Sequence, residues 1–317
     1  MIKKIIITNI YPYYGGPLVL STLCKTLRQL GYDARLLMLP GFVVKPHNKT
    51  KYRIQILKYC LNNYIKEMLR GIKHEESEEP SSVSMDGLKF QHFPFFSRKE
   101  SIVVYPANVY GNPLNGKNVV KWLIQFFYHE NDHNAYKDDE LFIAFREVFN
   151  SKKVNPDNNL AHFSYFDHNL YKQYNYSKRK ERCYVLRKGK SRSDVPQSFD
   201  GPVYDNNMTQ RQLVKMFNDY KFCYFYDTQT FYTTIACVCG CIPIIVMEKG
   251  KTINDYIKQD DCRFGIAFGD SPDEIAYAIK TRDKLIESIN YEERNKINAR
   301  NMIGIMEKRF GMISKMN

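Results

Sequence analysis

The sequence lacks any run of 18 or more apolar residues, so no segment is predicted to cross a membrane as a helix. It lacks the G-x-G-x-x-G fingerprint, so a bound dinucleotide is not implied. It has no two cysteines spaced C-x-x-C, the common sign of a zinc site. No D-x-D motif follows a predicted strand, so no visible pattern requires a metal.

Cysteines are present, but their placement indicates packing rather than chemistry. The eight are Cys24, Cys60, Cys183, Cys223, Cys237, Cys239, Cys241 and Cys262. Most lie in apolar segments, which predicts reduced thiols in the core of a cytoplasmic protein. The alternate spacing of Cys237, Cys239 and Cys241 does not converge three thiolates, so no metal site is expected there.

The chain has 317 residues, enough for two domains that each bury a core. Its composition, 44% hydrophobic and 26% charged, is that of a soluble globular protein. The net charge of +13 favours an acidic partner, such as a phosphorylated substrate, an anionic membrane surface or nucleic acid. Because this charge is spread along the sequence without a nucleic-acid-binding motif, nucleic acid is not an expected partner.

The N-terminal stretch predicts a strand, a turn and a helix. Residues 3–9 form the strand, Gly15 and Gly16 the turn, and the helix runs to Leu30. Glycine lets the backbone approach a ligand closely, so this turn is a candidate ligand-binding loop. Many α/β turns carry glycine for shape alone, and the pair is weak as a signal by itself.

Residues 51–72 are predicted to form an amphipathic helix with many lysines and arginines. Its apolar face comprises Ile54, Leu57, Leu61, Ile65, Met68 and Leu69. A basic amphipathic helix can lie on an anionic membrane, so peripheral membrane contact is one interpretation. Packing of this apolar face on a sheet is the favoured alternative. Further along, residues 102–105 predict a strand and residues 117–127 a helix.

A zinc-peptidase pattern, H-E-x-x-H, occurs at residues 129–133. Zinc binding by His129 and His133, with Glu130 between them, needs a helix and a third ligand. Asn131 and Asp132 are poor helix formers, and the extension that supplies a third ligand in one class of such peptidases is absent. A polar loop is therefore favoured over a metal site.

Strands alternate with helices in both halves of the chain, which predicts two doubly wound α/β domains. The polar stretch at residues 151–159 is a candidate linker, giving domains 1–158 and 159–317. The last helix, near residues 291–310, can pack back on the first domain.

Two stretches of the second half carry candidate phosphate-binding residues. Residues 177–192 form a strand surrounded by cations, with Arg187 and Lys188 at its carboxyl end, and both residue types bind phosphate oxygens. Residues 222–246 form a predicted strand, polar turn, helix and second strand. Free N–H groups and hydroxyls at the start of that helix suit a phosphate.

Five segments together resemble glycosyltransferases of the two-domain GT-B fold, and among them bacterial enzymes of capsule and lipopolysaccharide assembly. They are VVYPANVYGNPLNGKNVVKW (103–122), DELFIAF (139–145), YVLRKGK (184–190), YFYDTQTFYTTIACVCGCIPIIV (224–246) and FGIAFGD (264–270). The resemblance implies two Rossmann-like domains facing a cleft. It also implies a nucleotide-sugar that mainly contacts the second domain.

The resemblance implies a set of donor-binding residues. They are Gly15, Gly16, Arg187, Lys188, Asp205, Thr228, Gln229 and Thr230. Of these, Arg187 and Lys188 are implied to neutralise the diphosphate, and the base is expected near residues 204–208.

Asp227 stands where retaining members of similar type carry the first acid of a Glu-x7-Glu pair, so it is implied to contact the donor sugar. Ile235 stands where the second acid would be, which leaves retaining and inverting mechanisms both open. An inverting reaction needs a base from the first domain, and His129, Glu130 and Asp132 are candidates. The acceptor-side candidates are Asn108, Asn112 and Asn115.

The sequence therefore predicts a glycosyltransferase that extends a cell-surface polysaccharide, in the cytoplasm or at the inner face of the membrane. The donor is expected to be UDP- or GDP-linked and the acceptor a saccharide or lipid-linked saccharide, with no metal or other cofactor required. Two alternatives stay open: a GT-B-like protein that binds nucleotide without turnover, and a zinc hydrolase.

Overall fold

The computed structural model describes residues 1–9, 15–40, 49–72, 87–127, 130–132, 134–205, 208–227, 230–257 and 263–316. The chain divides into two compact units: Met1–Tyr165 with Tyr291–Asn317, and Phe166–Asn290. The boundary expected at residue 158 falls inside the first unit. The chain beyond it stays with that unit because Ala161 and Phe163 are buried in its core.

The described residues form ten strands and six helices. The strands are β1 (Lys4–Asn9), β2 (Ala34–Met38), β3 (Ser101–Pro106), β4 (Asn118–Leu123), β5 (Leu141–Ala144), β6 (Lys180–Val185), β7 (Val203–Tyr204), β8 (Tyr220–Phe225), β9 (Ile242–Ile245) and β10 (Ala267–Phe268). The helices are α1 (Gly15–Gln29), α2 (Lys49–Ile72), α3 (Gln210–Asp219), α4 (Tyr232–Val238), α5 (Pro272–Ser288) and α6 (Glu292–Phe310).

Each unit contains a five-stranded parallel sheet, β2-β1-β3-β4-β5 in the first and β7-β6-β8-β9-β10 in the second. Numbered within each unit, both orders are 2-1-3-4-5, a common order of doubly wound domains. The predicted fold class, two parallel-sheet Rossmann-like α/β domains, is confirmed. Ligands of such sheets bind outside the carboxyl ends of the strands at the switch point, between the first and third strands.

Alternate residues of the first sheet face two separate cores, as the period of two in a strand requires. Ile5 and Ile7 of β1 lie in one core, and Ile6 lies in the other. Helices α1 and α6 cover the first core, where Met302 and Met306 of α6 are fully buried. Helix α6 therefore completes the first sheet although it follows the whole second unit in sequence.

Helix α2 covers the second core through Tyr52, Ile56 and Cys60, which are spaced four residues apart. The six residues predicted to pack on the sheet are instead exposed: Ile54 48%, Leu57 38%, Leu61 48%, Ile65 44%, Met68 56% and Leu69 58%. We name these six the exposed face of α2. The packing interpretation is wrong for this face, because a different stripe of the helix occupies the contact with the sheet.

Residues 118–123 form strand β4, within the segment for which a helix was predicted. Val119 and Val120 are β-branched and fit a pleated sheet better than a helix. Both cores take residues from this strand, since Val120 and Trp122 enter one and Val119 and Leu123 the other. The strand is thus buried on both faces, as in other parallel sheets.

The second unit is built from shorter elements. Helix α3 begins with a capping box, in which Thr209 Oγ1 accepts from Gln212 N at 3.2 Å and Gln212 Oε1 accepts from Thr209 N at 2.8 Å.

The seven described cysteines are buried with free thiols, so the prediction of core thiols is confirmed, and Cys262 lies outside the described residues. Within the described ranges, no helix combines the length and apolarity needed to cross a bilayer.

Candidate functional site

The switch point of the second sheet lies between β6 and β8, which pair in register as far as Val185 and Phe225. The segments after these strands therefore emerge side by side. Residues 187–192 follow β6 and contain four cations, Arg187, Lys188, Lys190 and Arg192, within the sequence RKGKSR. We name residues 187–192 the cationic loop.

Asp227 follows β8 and holds the cationic loop in place. Its carboxylate is buried, and Oδ1 accepts from the backbone N–H groups of Arg187 and Gly189, each at 2.9 Å. Oδ2 has no hydrogen-bond partner among the described residues. Asp227 was predicted to contact the donor sugar, and the structure directs one of its oxygens to the loop backbone.

Gly189 allows the loop to lie against the end of β8. A Cβ at this position would meet the backbone oxygen of Tyr226 at 2.5 Å, closer than nonbonded atoms approach. The glycine is buried, and its N–H is one of the two that Asp227 accepts. The close approach of the two segments therefore depends on the absence of a side chain here.

Arg192 ties the end of the loop across two neighbouring strands. Its guanidinium donates to Tyr226 O at 3.1 Å and to Val246 O at 2.8 Å, beyond the carboxyl ends of β8 and β9. It also forms two hydrogen bonds with Asp194, at 2.9 and 2.6 Å. The hydrogen bond from Arg192 is the main cause that lowers the pKa of Asp194.

Arg187 is placed among aromatic rings. Its guanidinium carbon lies 4.7 Å from the ring centre of Tyr232 and 5.9 Å from that of Tyr204, within cation–π range. The two hydroxyls of these tyrosines are 3.3 Å apart. Burial, and then the hydrogen bond with Tyr232, raise the pKa of Tyr204, so its ring stays neutral beside the cation at ordinary pH.

Of the other predicted donor-binding residues, some lie in or beside the cationic loop and others lie outside the described residues. Lys188 is exposed and has no ion-pair partner among the described residues. Asp205 lies 3.4 Å from Lys190 Nζ, so the structure brings it to the cationic loop. Thr228 and Gln229 lie outside the described residues.

Thr230 lies close to the start of α4, but this helix has only seven residues. Its hydroxyl accepts from Tyr232 N at 3.3 Å, so it is already used within the turn. A short helix provides little dipole for a phosphate. An anion at this edge would therefore be bound mainly by the cationic loop and only weakly by the start of α4.

In the first unit, Gly15 and Gly16 are the first residues of α1, and residues 10–14 lie outside the described part of the chain. Asn112 stabilises the loop that follows β3, because its Oδ1 accepts from Tyr105 Oη at 2.9 Å and from Gly116 N at 3.0 Å. Asn115 has a positive φ of 56°.

Of the acceptor-side candidates, Asn108 differs from Asn112 in having a buried amide oxygen without a hydrogen-bond partner among the described residues. It lies just after β3, at the switch point of the first sheet. A buried polar atom in this state suits a ligand group that donates a hydrogen bond. In the loop after β3, Asn112 therefore stabilises the backbone, whereas Asn108 has an amide oxygen that can accept a hydrogen bond.

A buried lysine holds this same loop. Lys121 of β4 is fully buried, and its Nζ donates to Val109 O at 2.9 Å and to Gly111 O. Glu140 is also buried, and neither of its carboxylate oxygens has a hydrogen-bond partner among the described residues. Burial lowers the pKa of Lys121 to about 8 and raises that of Glu140, while the opposite charge of each partner acts against the shift.

The zinc-peptidase pattern does not form a described helix. His129 and His133 lie outside the described residues, and residues 130 and 131 form a turn. Glu130 Oε2 accepts from Ser151 Oγ at 2.6 Å. Among the described residues, no group of three or more histidines, cysteines or acids is placed to hold a metal ion.

Sequence reasoning did not single out Gly189, Arg192, Tyr232 or the pair of Lys121 and Glu140. A glycine within a run of cations was a usable signal for Gly189, since it marks a close approach of two backbones. A lysine inside a β-branched apolar run was a signal for Lys121. Arg192 and Tyr232 act through tertiary contacts that local sequence does not reveal.

Several solved glycosyltransferase structures are similar to this chain over nearly its whole length. The glycotransferase of kitacinnamycin aligns over 96% of this chain and 98% of its own, with 10% identity and a TM-score of 0.38. TarM aligns over 98% and 99%, with 11% identity and a TM-score of 0.39. An alpha-glucosyltransferase, in complex with UDP-glucose and DNA containing an abasic site, aligns over 96% and 95%, with 10% identity and a TM-score of 0.40.

No protein-family profile and no curated protein matches the sequence. The function of this chain is therefore inferred from its strand order and from the contacts of its residues.

Proposed function

We propose that this chain is a nucleotide-sugar-dependent glycosyltransferase of the two-domain GT-B type. It transfers a sugar from a UDP- or GDP-linked donor to a saccharide or lipid-linked saccharide, in the assembly of a surface polysaccharide such as capsule or lipopolysaccharide. The observation that carries the proposal is the cationic loop at the switch point of the second sheet, where doubly wound domains bind their ligands.

The charge of the loop suits the leaving group of this reaction. A nucleoside diphosphate departs, so the site has to stabilise negative charge as it develops. Arg187 and Lys188 supply two adjacent cations on a backbone that Asp227 fixes. The rings of Tyr204 and Tyr232 restrict the guanidinium of Arg187, which lowers the conformational entropy lost when it binds a phosphate.

The acceptor side of the proposal lies in the first unit. Asn108 supports it, because a saccharide hydroxyl can donate to its buried amide oxygen. The exposed face of α2 supports a peripheral membrane contact through residues 51–72, and with it a site at the cytoplasmic face of the membrane. Buried free thiols agree with a reducing compartment.

A thermal-shift panel of uridine, guanosine, cytidine and thymidine diphosphates tests the donor site. A ligand at about 100 times its Kd stabilises the folded state by roughly 2.7 kcal/mol. We expect UDP or GDP to raise Tm, and the corresponding nucleotide-sugar to do so as well. If none of the diphosphates raises Tm at millimolar concentration, the proposal is wrong.

Replacing Arg187 with alanine should weaken diphosphate binding by about 1.5–3 kcal/mol, the range for a charged hydrogen bond. Titration calorimetry measures the change. Arg187→Lys should retain part of the affinity, because it keeps the charge but loses the planar fork. Arg211→Ala removes an exposed cation from α3 in the same unit and should leave affinity unchanged.

A protein that binds nucleotide without turnover is the second candidate. Ile235 favours it, since this residue is buried where the family resemblance places an acid. Release of nucleoside diphosphate from a nucleotide-sugar, measured with saccharide and lipid-linked acceptors, separates the two. Tight binding with no release over any donor and acceptor pair would support the binding protein.

A further inference from the structure

A cavity of about 270 Å³ opens in the first unit beside helix α2. Its walls are mainly apolar and include Ile56, Leu57, Phe95 and Leu114. Two arginines, Arg53 and Arg98, also line it. A mostly apolar cavity with two guanidinium groups suits a ligand that is anionic at one end and apolar at the other.

Neutral groups hold both arginines in position. Arg53 Nε donates to Pro113 O at 3.2 Å. The side-chain amide of Asn115 lies against the guanidinium of Arg98, and with its oxygen turned toward the arginine it accepts from the two terminal nitrogens at 2.6 and 3.2 Å. Neither arginine has a carboxylate partner among the described residues, so both charges are available to an anion.

The cavity is continuous with the exposed face of α2, because Leu57 belongs to both. The six residues of that face are between 38% and 58% exposed. In sequence the helix carries six lysines and arginines, at positions 49, 51, 53, 58, 66 and 70, and one acid, at position 67. Apolar side chains exposed beside many cations are typical of a helix that lies in a membrane interface.

We propose that the first unit docks on a bilayer that contains anionic phospholipid. The exposed face of α2 enters the interface between headgroups and acyl chains, and a lipid phosphate occupies the cavity between Arg53 and Arg98. This deepens the proposed function and rests on it, since a lipid-linked acceptor would present its saccharide at such a surface.

Charge favours a membrane over a second copy of this chain as the occupant of the face. Lys58 and Lys66 are exposed on α2. Self-association through α2 would bring these cations of two copies together, and like charges across an interface oppose binding. An anionic bilayer instead attracts each cation near its surface.

Flotation or sedimentation with two kinds of vesicle tests the proposal. One kind contains phosphatidylcholine alone, and the other contains phosphatidylcholine with roughly a third phosphatidylglycerol. We expect the full-length chain to bind the second kind and to release as salt is raised, since salt screens surface charge. Equal binding to both kinds, or no binding to either, overturns the proposal.

Variants assign the binding to these residues. Leu61→Gln with Ile65→Gln should weaken partition into anionic vesicles at least about tenfold, since both side chains lose their apolar contact. Arg53→Gln and Arg98→Gln should each weaken it about fivefold, the effect of one cation near the surface. Ile279→Gln and Ile297→Gln are matched controls, because these residues are 57% and 55% exposed on α5 and α6 and should have no effect.

Two further measurements distinguish the bilayer from a second copy of this chain and from free phosphate as the bound partner. If light scattering shows a dimer that Leu61→Gln with Ile65→Gln dissociates, a second copy occupies the face and the proposal is wrong. If inorganic phosphate raises the Tm of the wild type but not of Arg53→Gln or Arg98→Gln, and vesicles do not bind, the cavity binds free phosphate instead. The proposal is then again wrong. The response to nucleoside diphosphates should be the same in all these variants, so a failed membrane test leaves the donor-site test independent.

Discussion

The carboxyl edges of the two sheets have the same strand order but buried charges of opposite sign. In the second sheet, the carboxylate of Asp227 accepts backbone N–H groups of the cationic loop. In the first sheet, the ammonium of Lys121 donates to the carbonyl oxygens of Val109 and Gly111. At each switch point a single buried charge thus fixes the backbone that follows a strand.

The sign of that charge decides what each edge offers a ligand. A carboxylate that binds backbone N–H groups leaves the exposed side chain of Lys188 in the same loop accessible to an anion. An ammonium that donates to carbonyl oxygens has these donors occupied within the fold, and the negative charge of Glu140 acts to raise its pKa. We therefore propose that the second edge binds a diphosphate and the first a neutral polar group.

The largest expected effect is at Lys121. Replacement by methionine removes two hydrogen bonds of a buried ammonium and the opposite charge that acts on Glu140, which together should cost about 3–5 kcal/mol. Urea unfolding should show this loss in the free energy of unfolding. Combining Lys121→Met with Glu140→Gln should recover a large part of it. An equally unstable double variant would show that the lysine acts through its hydrogen bonds alone.

The same lysine gives a pH dependence with a definite sign. Its pKa is about 8 in the folded state and 10.5 when unperturbed. Between these values the unfolded chain binds more protons, so stability increases with pH in this window. The gap in unfolding free energy between the wild type and Lys121→Met should widen by roughly 3 kcal/mol from pH 8 to pH 10.5. A constant gap would mean that Lys121 titrates as an exposed lysine does.

At the second edge, Asp227→Ala removes the acceptor of two backbone hydrogen bonds and should cost about 2–3 kcal/mol of stability. It should also abolish most nucleotide binding, because the cationic loop loses its anchor. Asp227→Asn keeps an oxygen that can accept both hydrogen bonds, so its loss of stability should be smaller. If asparagine destabilises as much as alanine, the negative charge itself holds the loop.

The smallest expected effect is at Gly189. A methyl group there meets Tyr226 O, and displacement of the loop should cost about 1–3 kcal/mol and weaken nucleotide binding. Gly304→Ala is the matched control, because a Cβ at Gly304 has no atom within 4 Å. It lies inside α6, so alanine should stabilise the protein slightly. Similar effects at both glycines would contradict the close approach inferred at Gly189.

Much of the fold can be predicted from local sequence patterns. The buried runs at β1, β3 and β8 and the long helices α2 and α6 are predicted because their periodicity is strong. Strand β4 was missed because Lys121 interrupts its apolar run and resembles a polar position of a helix. Tertiary hydrogen bonds to two carbonyl groups make that lysine a core residue, and no local pattern shows this.

The candidate site was predictable by position but not by contact. The sequence places Arg187 after one strand and Asp227 after another, and parallel strands bring such residues to one edge. It does not show that Asp227 binds the backbone of Arg187, or that Tyr204 and Tyr232 restrict the guanidinium. For α2, periodicity found an apolar face but could not tell which side of the helix meets the sheet.

Helix α6 has a consequence for the order in which the protein is made. The second unit is one continuous stretch, Phe166–Asn290, so it can fold before the remaining chain has been synthesised. The first sheet has to wait, because Met302 and Met306 fill its core and Ile313 pairs with Ile2. During translation the strands of the first sheet therefore keep an incompletely covered apolar surface until α6 has been made.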